Sequence, residues 1–224
     1  MHLRLMKTGK DLSEKIKSRV LSKHLESGSR FSIAISGGNS PIALYKLWRD
    51  VYKDDSFWAL IDFYWVDERC VSPDSSESNY GTFLREFFNY MEISSTQIFQ
   101  IDGDHTPHLE SSRYSNLIKN IGGFDLMILG IGEDGHTSSL FPESVKNGQI
   151  ENNNLYDVYQ NPYNGSIRVG ATYKTILSAN EICFYLRGAE KRKIIESVQN
   201  DFSSTLPASY VLNHHAKAEI FFDE

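Results

Sequence analysis

Short apolar runs alternate with amphipathic stretches along most of this chain. Phe31-Ser-Ile-Ala-Ile-Ser36 is apolar and β-branched and stops at Gly37-Gly38; Pro41-Ile-Ala-Leu-Tyr-Lys-Leu-Trp48 then places its apolar residues at helical spacing. The pattern predicts strand, tight turn and helix. Phe63-Tyr-Trp-Val66 is a second strand, followed by a polar loop from Asp67 to Ser78 and a helix from Asn79 to about Tyr90. A helix over Leu109 to Ile121 leads into Phe124-Asp-Leu-Met-Ile-Leu129, a nearly continuous apolar run that Gly130-Ile-Gly-Glu-Asp-Gly135 breaks. Further on, the spacing predicts a strand around Ile167 to Val169, a helix near Thr172 to Leu177, a strand Glu181 to Leu186, a helix Ala189 to Val198 and a last strand Ala218 to Phe222. The Asn-rich stretch from Asn147 to Asn164, with Gly148 and Pro162, reads as one long exposed loop.

Strands that are apolar throughout, rather than on alternate positions, are buried on both faces. Alternating with helices, they predict an α/β fold: a Rossmann-like three-layer sandwich with a mostly parallel sheet and helices on both faces. No internal repeat appears, and 224 residues fit a single domain over 1–224. In such sheets ligands bind at the carboxyl ends of the strands. The residues just past each strand therefore carry the functional question.

Composition excludes several classes. A hydrophobic share of 40% with 12% aromatic residues belongs to a globular chain, not a disordered one. No run approaches the ~20 apolar residues that span a bilayer, and Met1 to Lys10 carries charges where a secretory signal has its apolar core, so a cytoplasmic protein without membrane contact is expected. The net charge of -6 argues against nucleic acid as partner, and Lys191-Arg192-Lys193 reads as a solvated helix face. Cys70 and Cys183 form no CxxC pair, which fits a reducing compartment. His105 and His108, and the adjacent His214-His215, bring no further ligands, so all four read as solvated or structural and no metal is expected.

Three post-strand segments can carry chemistry. In Ser36-Gly37-Gly38-Asn39-Ser40-Pro41 the glycines admit a ligand to backbone N–H groups at a helix start, which suits a phosphate; the alternative is a plain glycine turn with Ser40 as the cap. Asp67-Glu68-Arg69 places two carboxylates and a guanidinium at the sheet edge, for orienting water and pairing with an anion, or merely for pairing with each other. On the glycine-bounded loop Gly130 to Pro142, His136 can take a proton from water and return it, with Asp134 near enough to orient its ring. Arg168 and Lys191 are later cations able to reach an anion at the same edge.

Together with Trp65-Val-Asp-Glu-Arg69, Ser78-Asn-Tyr-Gly81, Asp134-Gly-His-Thr-Ser-Ser-Leu-Phe-Pro142, Gly188-Ala-Glu-Lys191 and Leu206-Pro-Ala208, these segments resemble, in order and over nearly the whole chain, the 6-phosphogluconolactonase family. That family is related to the glucosamine-6-phosphate deaminases and similar in fold to ribose-5-phosphate isomerase. The resemblance implies a phosphosugar lactone as substrate, cofactor-independent ester hydrolysis in the oxidative pentose phosphate pathway, and a monomer or weak homo-oligomer. It gives His136 the part of general base; on chemical grounds Asp134 or Asp67 orients it or the water, and Arg69 stabilises the oxyanion. Arg69, Arg168 and Lys191 surround the substrate, the last two at its phosphate, with Ser36, Gly37, Gly38 and Asn39 as loop contacts. The chain departs from the family after Arg168, where Val-Gly-Ala-Thr-Tyr-Lys-Thr-Ile-Leu177 replaces a Thr-Leu-Thr strand and a Pro-Val-Leu-Asn turn, and between Pro142 and Arg168 it does not match. A deaminase would carry Asp-Glu-Tyr and Gly-His-Ile-Ala-Phe-Asn-Glu-Pro where this chain has Asp67-Glu68-Arg69 and Gly135 to Pro142. A noncatalytic sugar-phosphate sensor, keeping the pocket but using binding to control a partner, is the rival from another class; no DNA-reading or oligomerisation segment accompanies the domain, and the candidate acid–base residues are all present.

Overall fold

The computed structural model describes residues 7–147 and 149–224; the charged start is therefore seen only from Lys7, and Gly148 of the Asn-rich stretch lies outside the described residues. Helix α1 (Gly9–Ser27) is not among the predicted elements: its buried stripe is only Leu12, Ile16 and Val20, single apolar positions four apart in charged text. Thr8 caps it through a reciprocal pair with Asp11. Strand β1 (Phe31–Ile35) leads into α2 (Asn39–Val51), and β2 (Ile61–Trp65) is followed by β3 (Asp67–Arg69), α3 (Asn79–Glu86) and the short β4 (Ile98–Phe99). Helix α4 (Pro107–Ile121) precedes β5 (Leu126–Leu129), after which come α5 (Pro142–Lys146), β6 (Tyr156–Gln160), β7 (Ile167–Ala171) and α6 (Tyr173–Leu177). Strand β8 (Glu181–Arg187), α7 (Arg192–Asn200), α8 (Pro207–His214) and β9 (Ala218–Asp223) complete the order.

Six strands form one sheet in the order β4-β2-β1-β5-β8-β9, with every neighbouring pair parallel. The Rossmann-like α/β fold predicted from the apolar strands is the fold observed. The chain winds outward from β1 to β4, then crosses back to lay β5 on the other side of β1. At such a switch point the loops leaving two adjacent strands diverge and open a crevice. Here the diverging loops are those that start at Ser36 and Gly130.

Two expectations are corrected. Asp67 to Ser78 is not all loop, and Asn147 to Asn164 is not one exposed loop: β3 and β6 flank β7 in a separate antiparallel sheet, β3-β7-β6. Three residues, all charged, leave β3 without an apolar signature, and the turn-forming asparagines before β6 hide its alternation; Asn152 and Asn154 both donate to Asp157. Buried hydrogen bonds join the small sheet to the large one. Tyr156 Oη donates to the Trp65 carbonyl at 2.7 Å, and the Ala171 amide to Val66 at 2.8 Å.

Boundaries shift as well. The helix expected up to Tyr90 ends at Glu86 and gives way to one 3₁₀ turn, and the helix expected from Ala189 begins with a 3₁₀ turn through Lys191. Ser40 does not cap α2; its Oγ accepts from the Arg187 amide at 3.1 Å and pins the end of β8 to the helix start. Tyr45 and Trp48 of α2 pack with Trp58, Phe63, Phe83 and Phe87 at ring separations of 5.1 to 6.3 Å. Each buried aromatic of this kind contributes roughly 1.5–3 kcal/mol, so α2 is held firmly with its N-terminus at the crevice.

Candidate active site

A cleft of about 320 Å³ opens at the switch point, and Ser36, Gly37, Gly38, Asn39, Asp67, Arg69, His136, Arg168 and Lys191 all line it. Two of the residues singled out in the sequence do not line it: Asp134 stands behind it, in contact with His136, and Glu68 turns away.

The first wall is the start of α2. Gly38 is its N-cap, in the left-handed region at φ 101°, where L side chains are strained, and no side chain caps the helix. A Cβ on Gly37 would overlap the carboxamide of Asn79, so neither glycine can be replaced without moving the loop. The first-turn amides of Asn39 and Ser40 thus stand uncapped at a positive helix end, which favours an anion. Beside them the Ser36 hydroxyl is buried without a partner.

The second wall is the His136 loop. His136 Nδ1 lies 2.5 Å from Asp134 Oδ1, which also accepts from the His136 amide at 3.1 Å, while Asp134 Oδ2 accepts from the Tyr163 hydroxyl at 2.5 Å. Burial pushes the Asp134 carboxyl up, but the Tyr163 hydroxyl, the His136 charge and the His136 hydrogen bonds outweigh it and hold the group below the usual carboxylate range. An ionised carboxylate only accepts, so Nδ1 carries a proton toward it, and in the neutral imidazole the lone pair is then on Nε2. The loop is built to hold the ring: a Cβ on Gly132 would overlap it, the Gly132 amide donates to the His136 carbonyl at 2.8 Å, and the Ala208 amide at the start of α8 donates to Gly135. That last bond explains the Leu206-Pro-Ala208 motif, which begins a helix the periodicity did not show. Ser138 sits at φ 55°, uncommon for a residue with a Cβ and worth of order 1–3 kcal/mol of strain, and its buried hydroxyl has no partner.

The third wall is the small sheet. Asp67 is buried, accepts from Ser139 Oγ at 2.7 Å and lies 3.6 Å from Arg168 Nη1. Arg69 and Arg168 face each other in the ladder between β3 and β7. Like charges at directly opposite positions repel. Burial and the Arg69 charge both push the Arg168 guanidinium down from its ordinary value against the pull of Asp67, and both Nε atoms are buried without partners. Arg69 donates to the Glu77 carbonyl. Glu68, between them in sequence, turns away: only 1% exposed, it accepts from the Arg69, Asn79 and Tyr80 amides at 2.8 Å and from Ser78 Oγ at 3.0 Å, tying β3 to the start of α3. Lys191 donates to the Ile131 carbonyl at 3.2 Å and closes the cleft from the β8 side.

Sequence reasoning missed Ser138, Ser139, Asn79, Phe141 and Tyr163. The first four stand inside quoted motifs, where a serine, asparagine or aromatic gave no chemistry of its own; Tyr163 lies in the Asn-rich stretch that was read as loop. His105, His214 and His215 are engaged away from the cleft: His105 with Asp102 and Glu110, His214 with the Tyr210 carbonyl, His215 with the Ala179 carbonyl. Among the described residues no group of three or more His, Cys, Asp or Glu is arranged to hold a metal, and no helix is long and apolar enough to cross a membrane. Both cysteines are free thiols.

Residues 7–221 match the family profile described as glucosamine-6-phosphate isomerases/6-phosphogluconolactonase. A 6-phosphogluconolactonase of Aggregatibacter actinomycetemcomitans is 36% identical over 179 residues, 78% of this chain and 76% of its own length, and one of Haemophilus influenzae is 35% identical over the same shares. Among solved structures, a protein named devB superposes with a TM-score of 0.83 at 31% identity, covering 97% of this chain and 94% of its own. The 6-phosphogluconolactonase of Thermotoga maritima gives 0.79 at 26% identity, covering 96% and 94%.

Proposed function

Given that this chain belongs to the family of glucosamine-6-phosphate isomerases and 6-phosphogluconolactonases, we propose that it hydrolyses 6-phospho-D-glucono-1,5-lactone to 6-phosphogluconate, as a cytoplasmic enzyme of the oxidative pentose phosphate pathway. The observation that carries this reading is the meeting, in one cleft, of a carboxylate-held histidine, a guanidinium pair and an uncapped helix start.

Each part has a task. The amides of Asn39 and Ser40 with Ser36, Gly37, Gly38 and Lys191 take the phosphate. His136 Nε2 removes a proton from water as it attacks the lactone carbonyl, then returns a proton to the ring oxygen as the C–O bond breaks. Asp134 fixes the tautomer and balances the imidazolium between the two steps. Fixed positive charge at the carbonyl oxygen lowers the barrier because it needs no reorganisation when the oxyanion forms. We assign that charge to Arg69 and Arg168. Arg168 lies 5.9 Å from the Phe141 ring, which packs 5.0 Å from His136. This reading moves Arg168 from the phosphate, where the sequence comparison had it, to the reacting end, with Asp67 as its holder. Water, acid–base groups and fixed charge suffice for the reaction, so neither metal nor organic cofactor enters the scheme.

Purified protein is tested by generating the lactone from glucose 6-phosphate and following 6-phosphogluconate through NADPH formation by its dehydrogenase. Acceleration over spontaneous hydrolysis is expected, together with a large preference over unphosphorylated gluconolactone. A rate equal to the spontaneous one would overturn the reading and direct the search to ammonia release from glucosamine 6-phosphate.

A further inference from the structure

The loop joining β6 to β7 reaches the carboxylate that holds His136. Its turn is tightly determined: the Asn161 amide donates to Ser166, the Gly165 amide to the Asn161 carbonyl, and the Tyr163 amide to Asn161 Oδ1 at 2.9 Å. Gly165 supplies the left-handed residue, at φ 73°. Tyr163 stands on this turn and reaches back to the His136 loop. Its hydroxyl donates to Asp134 Oδ2 at 2.5 Å, and its ring packs edge-on against Phe141 at 6.0 Å, whose other neighbour is the His136 ring at 5.0 Å. Asp134 is thus gripped at both oxygens, by the histidine at one and by the tyrosine at the other. A hydroxyl-to-carboxylate bond this short is charge-assisted and directional.

We propose that Tyr163 is a positioning residue for the hydrolysis, the third member of a His136–Asp134–Tyr163 relay that holds the carboxylate, and through it the imidazole, in the reactive orientation. The proposal rests on the lactonase reading for its rate effects, but its geometric core stands independently. The His136 ring and amide both bond Oδ1, so on their own they leave the second oxygen of the half-buried Asp134 unheld. With Tyr163 on that oxygen, rotation about the last torsion breaks bonds at both ends, and the carboxylate plane stays aligned with Nδ1. Packing does little to hold Tyr163 where it is: the residue is 67% exposed, and among the described residues its ring has Phe141 as its one aromatic neighbour.

The electrostatics agree in sign. The Tyr163 hydroxyl is the largest of the influences that lower the Asp134 carboxyl, and Asp134 in turn is the first cause raising the Tyr163 phenol to about 12, so the proton stays on the tyrosine throughout the working range. The other charged groups facing the relay are Glu133 on its own loop, Glu143 on α5, Arg168 on β7 and Lys191 beyond β8, and all are left in place by the test. A carboxyl whose value is lowered stays ionised as pH falls until that lower value is reached. Removing the hydroxyl raises the value, so the relay is lost at a higher pH than in the parent protein.

The test is Tyr163→Phe, which keeps the exposed ring and its contact with Phe141 and leaves the fold intact. The Asp134 carboxyl, followed by carbon NMR against Asp134→Asn as the assignment control, is expected to titrate at higher pH than in the parent protein. The acid limb of kcat/KM is expected to move up with it, kcat at neutral pH to fall roughly fivefold, the size of one ordinary hydrogen bond, and KM to change little. In an Asp134→Asn background the same substitution is expected to add nothing. An unmoved Asp134 titration, or a Tyr163→Phe effect that survives undiminished in Asp134→Asn, would overturn the proposal. The titration decides the point even if the parent protein fails to hydrolyse the lactone, so the two readings fall separately.

Discussion

The six parallel strands and the three antiparallel ones reach the same cleft with different kinds of atom. From the large sheet come mainly backbone groups and the loop that frames His136: the uncapped start of α2, the glycines at 37, 38 and 132, and the turn that Gly135 and Ala208 brace. From the small sheet come charged side chains, Asp67, Arg69 and Arg168, and from its hairpin loop Tyr163. The large sheet is apolar and buried on both faces, so its position is fixed by burial and its loops can be strained at little risk to the fold. The small sheet buries charge, which is costly unless each charge finds a partner. Its stability and its function therefore rest on the same few residues.

That coupling can be broken, and the largest effect is expected at Asp67. Asp67→Ala leaves the Arg168 guanidinium facing Arg69 with no carboxylate between them. We expect a loss of about 3 kcal/mol in urea unfolding, since removing one partner of a buried pair is far costlier than the pair is worth. Stability unchanged within error would mean that the cleft solvates both arginines. Arg168→Gln separates the two tasks. With the oxyanion assignment kcat drops on the order of 10²-fold with KM nearly constant; a rise in KM alone would return Arg168 to the phosphate. The smallest effect belongs to the seam. Tyr156→Phe leaves the buried Trp65 carbonyl without its donor, and calorimetry is expected to show a loss of about 1–2 kcal/mol with the lactone rate little changed.

The same contrast decides what the sequence makes legible. Apolar runs such as Phe31 to Ile35 and Leu126 to Leu129 announce parallel strands, because both faces are buried and the signal is composition itself. The switch-point loops are legible for the same reason, since glycines and His136 directly follow those runs. Nothing local announces β3: Asp67-Glu68-Arg69 is a strand only because it pairs with residues about a hundred positions later, and Glu68 turns out to clamp α3 instead of facing the cleft. In β6, Tyr156 is buried by α4 and the large sheet, contacts that no window of sequence contains. Helix α1 escapes notice because its buried large apolar side chains, Leu12, Ile16 and Val20, are spread thinly over nineteen residues. Tyr163 is invisible for a further reason: it acts through a hydrogen bond across twenty-nine residues from a loop whose composition signals only a turn.

The account stands most directly on His136. With the lactone made in situ and the spontaneous rate subtracted, His136→Ala, checked for native fold, is expected to lose at least about 10²-fold in kcat, the lower range for a positioned acid–base group. Turnover within a few-fold of the parent protein would contradict the mechanism and leave the arginine pair and helix start as a binding site without its base.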